Sequence, residues 1–166
     1  MEKGTPGSLG EGADATPLTP PSLAGLSTYL LSKIGKAARG RLAERLATRG
    51  LRLWHMAVLA ALVDFGPHAQ RELAERLAVH ASDVAKVVED LAAAGYVERT
   101  RDPADRRRVT VTVTDAGRAA LAELDAAARE VQDEILAPLA EEERAQLAGL
   151  LRRVYTRLHQ EGVTPV

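Results

Sequence analysis

The apolar positions of this chain change period several times, and each change marks an element. Leu23, Leu26, Leu30 and Ile34, then Leu42 and Leu46, recur at helical spacing and predict a helix over residues 22–48. Gly35 and Gly40 weaken its middle and predict a bend there, and Arg49-Gly50 predicts its stop. The run LRLWHMAVLAALVD, residues 51–64, is apolar almost all the way round, which is the pattern of a buried helix, and Phe65-Gly66-Pro67 ends it. Residues 71–78 form a short amphipathic helix through Leu73, Ala74 and Leu77. Val79-His80-Ala81-Ser82 predicts a turn in which His80 or Ser82 caps the next helix. That helix, 82–94, carries Val84, Val87, Val88 and Leu91 as one stripe, and Gly95 follows where a left-handed cap is wanted.

The period then drops to two. Residues 96–100 read as one strand; Val109, Val111 and Val113 alternate with Thr110, Thr112 and Thr114 in a second. Between them lie Asp102-Pro103-Ala104-Asp105 and the run Arg106-Arg107-Arg108, so the expectation is a two-stranded ribbon with an arginine-loaded tip. A ribbon this short needs a partner to bury its valines. Helical spacing returns at Asp115, with Leu121, Leu124, Ala128, Val131 and Ile135 on one face and a break at Pro138. Glu141-Glu142-Glu143 opens a last helix where acids complement the helix dipole, and Leu147, Leu150, Leu151, Val154 and Leu158 are its expected buried side. Residues 1–21, rich in Gly, Pro, Ser and Thr without apolar period, read as a flexible arm.

The fold class is therefore mainly α with a small two-stranded β-wing. A winged helix-turn-helix over residues 51–118 is flanked by a helical dimerisation region, residues 22–50 and 119–166. Those flanking helices are too long and too apolar for a monomer of this size to bury alone, so a homodimer is expected.

Composition narrows the function. Aromatics make up only 3% of the 166 residues, so the helices must pack through small and branched aliphatic side chains. The net charge is −1, so any attraction to nucleic acid has to be local. Locally the charge is uneven: Lys33, Lys36, Arg39, Arg41, Arg45, Arg49 and Arg52 face only Glu44 in their stretch, whereas acids dominate from Asp115 to Glu143. The basic first helix is expected to lie near the acidic later helices of a partner copy. There is no cysteine, which excludes a disulfide framework and a cysteine zinc site. Without a membrane-length apolar run or a secretory leader pattern, the expected location is cytoplasmic. His55, His68, His80 and His159 lie far apart, and no phosphate-binding loop, nucleophile elbow or HExxH is present. The expectation is no enzyme, no cofactor and no metal; a His/Glu zinc sensor is a remote alternative.

The short helix, turn and following helix have helix-turn-helix lengths. Their apolar stripes leave His80, Ala81, Ser82, Asp83, Ala85, Lys86 and Glu89 outward, and in such modules the start of the second helix enters the major groove. Ser82 and Asp83 reach base edges, Ala81 or Ala85 touches a thymine methyl, and Lys86 suits a phosphate or a guanine. Asp83 equally suits capping its own helix, the preferred reading. A wing-tip arginine fits a narrow A·T-rich minor groove, and Asp105 beside Arg106 and Arg107 is placed to orient a guanidinium. Arg99 and Arg108 complete the candidate DNA face. A solvated hairpin end explains the arginines equally well taken alone; the helix pair directly upstream favours DNA.

Residues 51–121 resemble the DNA-binding core of the MarR family of bacterial transcriptional regulators. Glu72-Leu73-Ala74, Leu91 with Gly95, Arg99 or Arg101, Asp102 with Asp105-Arg106-Arg107, and Thr114 with Gly117-Arg118 match the family pattern in order. Val113 stands where leucine is usual, and His80-Ala81-Ser82-Asp83 where small hydroxyl residues are usual. The resemblance implies a two-fold dimer on a pseudo-palindromic double-stranded operator. It also implies a repressor released by a small aromatic or anionic ligand, such as a carboxylate, in a cleft between the dimer helices and the DNA-binding lobe. That cleft would be walled by the first helix, the 51–64 helix and the start of the helix after the wing. Trp54 and His55 are its candidate lining, with Tyr29, Arg52 and Met56 in support; core packing for Trp54 and a helix-end partner for His55 explain them as well. The alternatives are a regulator without effector, and a helical dimer that binds proteins with a degenerate wing.

One outcome follows from the wing alone. Arg107→Ala should lose affinity at A·T-rich flanks and lower the slope of log K against log salt by about one unit. A variant that binds duplex as tightly as the parent in a salt-dependent gel shift refutes the wing assignment.

Overall fold

The computed structural model describes residues 19–101 and 109–160. It divides into two compact units, one ending at Lys36 and one beginning at Ala37. In the first unit, α1 (Pro21–Ala24) starts on a proline, whose fixed φ and missing N–H suit a first helical turn. It is followed by the start of α2 (Ser27–Ala47). The interruption thus falls at Gly25–Leu26, and α2 runs as one helix through Gly35 and Gly40. Both glycines lie within the helix, so weak propensity is not enough to end it. Leu23, Leu26, Leu30, Leu31 and Ile34 are exposed, and Lys33 Nζ lies 5.2 Å from the centre of the Tyr29 ring.

The second unit holds the core. Gly50 turns the chain with φ +68°, and the Leu51 N–H returns to the Leu46 carbonyl, closing α2. Then follow α3 (Leu53–Phe65), α4 (Gln70–Leu77) and α5 (Ala81–Ala93), strands β2 (Val97–Arg101) and β3 (Val109–Val113), and helices α6 (Asp115–Ile135) and α7 (Glu141–Gln160). Leu46, Val58, Leu59, Leu62, Leu73, Val84, Val88, Leu91, Val111 and Leu124 are fully buried in one cluster, so helices on both sides of the winged segment contribute to its core.

The expected two-stranded ribbon is a three-stranded antiparallel sheet. His68–Ala69, strand β1, pairs with Val111 and Thr110, giving the order β1-β3-β2. A two-residue strand after Pro67 has no alternation to detect, and tertiary pairing alone creates it. The β2–β3 register sets Val97 against Val113 and Arg99 against Val111.

The basic helix finds its acids within its own chain. Arg45 pairs with Glu130 and Glu134 of α6; Arg41 lies 3.9 Å from Glu134 and Arg49 3.5 Å from Glu123. Rising arginine numbers meet falling glutamate numbers, so the two segments run antiparallel. The expected partner-chain pairing is not needed to explain these charges. Most of the stripe expected as the buried side of α7 is instead exposed: Leu150 and Val154 show about half their surface (49% and 53%), Leu151 and Leu158 are exposed as well, and Leu147 is half-buried. No described helix is long and apolar enough to cross a membrane.

One joint closes this unit. Thr114 caps α6 by accepting the Gly117 N–H at 3.0 Å, while its hydroxyl donates to the Gly95 carbonyl at 2.8 Å. The Thr114 N–H donates to the Tyr96 carbonyl at 3.0 Å. A Cβ at Gly117 would sit 2.1 Å from that same carbonyl oxygen. Gly117→Ala should therefore force α6 off the strand and cost roughly 3 kcal/mol, read as a lower urea midpoint at unchanged m-value. A midpoint equal to the parent's would show that the joint yields freely.

Candidate nucleic-acid interface

Helix α4 begins where Glu72 accepts the Ala69 N–H at 2.9 Å, a glutamate reaching back to the cap. It ends at Ala78, which adopts φ +53° and donates its N–H to the Ala74 and Glu75 carbonyls. A non-glycine residue in the left-handed region is uncommon, and here it makes the tight corner between α4 and α5. The Val79 N–H returns to the Ala74 carbonyl, and His80 takes the cap position of α5 without a side-chain bond. Asp83, the preferred cap from the sequence, lies inside the first turn of α5 instead; its charge complements the helix dipole without replacing the cap.

Helix α5 is anchored by buried Val84, Val88 and Leu91. This fixes the opposite face outward: Ala81, Ser82, Asp83, Lys86 and Glu89 are exposed and Ala85 is half-buried. Lys86 has no ion-pair partner among the described residues. Arg99 and Arg101 are exposed on β2. Asp105, Arg106, Arg107 and Arg108 lie outside the described residues.

The candidate ligand residues separate. Arg52, Trp54 and His55 line a cavity of about 290 Å³ together with Asp83, Lys86 and Val87, so its walls come from the start of α3 and the outer flank of α5. The first helix and the start of α6, expected as walls, do not line it. Met56 is half-buried and packs against the core, and Tyr29 belongs to the other unit. Trp54 is 48% exposed, which removes the reading of it as a core residue.

His55 is 3% exposed, and its Nδ1 accepts the Arg52 N–H at 2.9 Å at the start of α3. The helix-end reading of this histidine therefore describes its contacts. With Nδ1 accepting, the ring proton sits on Nε2, which faces Asp90 Oδ2 at 3.4 Å. Arg52 donates to the same oxygen at 2.8 Å. Arg52, His55 and Asp90 thus tie α3 to α5. Asp90 had no sequence signal, because nothing in its spacing distinguishes it from a solvated acid. A second missed cluster lies at the turn after α3: the Arg76 guanidinium stacks 4.2 Å from the exposed Phe65 ring and donates to His68 Nε2 at 3.1 Å.

Burial holds the His55 pKa below its ordinary value of 6.5; the Asp90 bond opposes this and the Arg52 charge adds to it.

The arrangement is that of a winged helix-turn-helix: an anchored second helix with an outward polar face, beside an antiparallel hairpin. The sequence model described as MarR family matches residues 49–108. The chain is 36% identical over 96 residues to the HTH-type transcriptional repressor NicR of Pseudomonas putida, a match covering 58% of this chain and 61% of NicR. It is 30% identical over 116 residues to the HTH-type transcriptional regulator YwaE of Bacillus subtilis, covering 70% of this chain and 68% of YwaE. Among solved structures, Bordetella bronchiseptica BpsR is 28% identical with a TM-score of 0.66, covering 77% of this chain and 97% of that one. That structure is described as showing how 6-hydroxynicotinic acid regulates the DNA binding of BpsR. The chain belongs to the MarR family of transcriptional regulators.

A pH response follows from His55. Its folded-state pKa is lowered, so the unfolded chain binds more protons below pH 6.5. Its contribution is full above that value and is lost as pH falls. Gln at this position keeps the reach back to the cap and cannot titrate. His55→Gln should flatten the decline in stability below pH 6.5 measured by denaturant titration. A parent and variant declining in parallel would refute the assignment.

Proposed function

We propose that the chain is a homodimeric repressor that binds a pseudo-palindromic double-stranded operator and releases it on binding a small aromatic or anionic ligand. The observation that carries the reading is α5, held by three buried residues while Ser82 and Lys86 stand free on its outer face. Ala81, Ser82 and Ala85 meet base edges, Lys86 meets a phosphate, and Arg99 with Asp105, Arg106, Arg107 and Arg108 flanks the groove. The ligand residues are Arg52, Trp54 and His55, which line one cavity. Family membership, the repressor name of NicR and the ligand-regulated DNA binding of BpsR support this reading.

Residues 22–50 and 119–166 form the dimer. The exposed stripe of α7, with a groove of about 460 Å³ lined by Leu150, Arg153, Val154, Arg157 and Leu158, supports a second copy as its cover. A two-fold axis sets the two α5 helices one turn of DNA apart, about 34 Å. The reading is tested on DNA from upstream of its own gene by fluorescence anisotropy. Leu150→Glu with Val154→Glu should convert the dimer to monomer in sedimentation and weaken operator binding at least tenfold. A parent that is monomeric, or that ignores every such duplex at low salt, refutes the proposal.

A further inference from the structure

Trp54 is the only tryptophan in the chain and stands half-exposed on the first turn of α3. Its indole N–H has no hydrogen-bond partner among the described residues. An indole half in water with a free donor has the character of an interface anchor, apolar in its body and polar at one edge. The ring lines an open hollow of about 730 Å³ between α3 and the α4–α5 corner. Arg71 and Glu75 of α4 border it on one side, and His80, Ala81 and Asp83 at the start of α5 on another. The hollow is therefore continuous with the end of α5 that the operator reading places in the major groove. It shares only Trp54 and Asp83 with the smaller cavity beside Arg52 and His55. Charge alone does not single it out, because Glu75 and Asp83 offset Arg71. Arg71 Nε donates to Glu75 at 3.0 Å, an exposed pair that is weak in water, and the other N–H groups of the guanidinium can serve a second acceptor.

We propose that this hollow seats one strand of the operator's sugar–phosphate backbone. The Trp54 indole N–H donates to a phosphate oxygen, the ring lies against the neighbouring sugar, and Arg71 holds the next phosphate. Asp83 repels phosphate, which sets the contact at the Trp54–Arg71 end of the hollow. The inference rests on the operator-binding reading above and adds a contact outside α5 and the hairpin. Phosphate contacts carry no base sequence; they fix register. Arg52 and His55, on either side of Trp54, reach Asp90 of α5. A phosphate held at Trp54 thus sets how α5 lies in the groove.

Trp54 reports the contact itself. With no small molecule present, the full chain is bound to duplex from upstream of its own gene. Binding should cut the acrylamide quenching constant of Trp54 emission at least twofold. Trp54→Phe keeps a ring and removes the donor. It should weaken duplex binding at least threefold, by the same factor on operators that differ in their bases. The slope of log K against log salt should stay unchanged, because the indole is uncharged. Arg71→Gln should lower that slope by about one. Quenching unchanged on a bound duplex, a Trp54→Phe variant that binds as tightly as the parent, a penalty that varies with base sequence, or a slope indifferent to Arg71→Gln each overturns the inference and leaves the operator reading in place. If no duplex binds at low salt, the operator reading fails and this contact with it.

Discussion

The Tyr96 carbonyl oxygen is the point on which the second unit closes. It accepts the Thr114 N–H and lies against the bare Cα of Gly117. At this joint α5 has just ended at Gly95, β2 is starting, β3 has just finished and α6 is setting out. Because Thr114 spans the joint with its hydroxyl, the end of α5 and the start of α6 are held by one side chain. A hairpin this short has little stability of its own. Its geometry is inherited from this joint and from the burial of Val97, Val111 and Val113 beneath it.

The same economy governs α5. Its inner face is fixed by Val84, Val88 and Leu91, and its flank by Asp90, which receives Arg52 and faces His55 from α3. Apolar packing sets how deep the helix sits; the polar contact sets how it is rotated about its axis. The outer residues need no contacts of their own to be well placed, which leaves them free for a partner. Farther out, the arginines of α2 and glutamates of α6 add surface pairs, each weak in water and screened by salt. Their antiparallel order serves register more than stability.

Much of this was legible in the residues because the signals were periodic or conformational. The Val84–Leu91 stripe, the valine–threonine alternation and the Gly95 cap each reflect a requirement of one element, readable within that element. What escaped was set between elements. The His68–Ala69 strand exists only because β3 offers it an edge. Asp90 matters only because Arg52 and His55 arrive from another helix. The exposed Leu150 and Val154 read as core because apolar periodicity reports a face that wants covering, without telling whether the cover lies in the same chain. Trp54 was a candidate lining residue, but the cavity it borders is completed by α5, and spacing along one helix does not reveal which helix crosses it.

The order of the three strands has a consequence for the protein at high concentration. The central strand β3 pairs with β2 along its whole length and with β1 at Thr110 and Val111, so the middle of its valine–threonine alternation, the segment best suited to cross-β stacking, is bonded on both sides. Of the two remaining margins, β1 is only two residues long, too short to template another chain, and β2 carries Glu98, Arg99 and Arg101. A pair of residues after a proline thus blunts one rim and charges guard the other, and the sheet resists edge-to-edge aggregation without a covering helix.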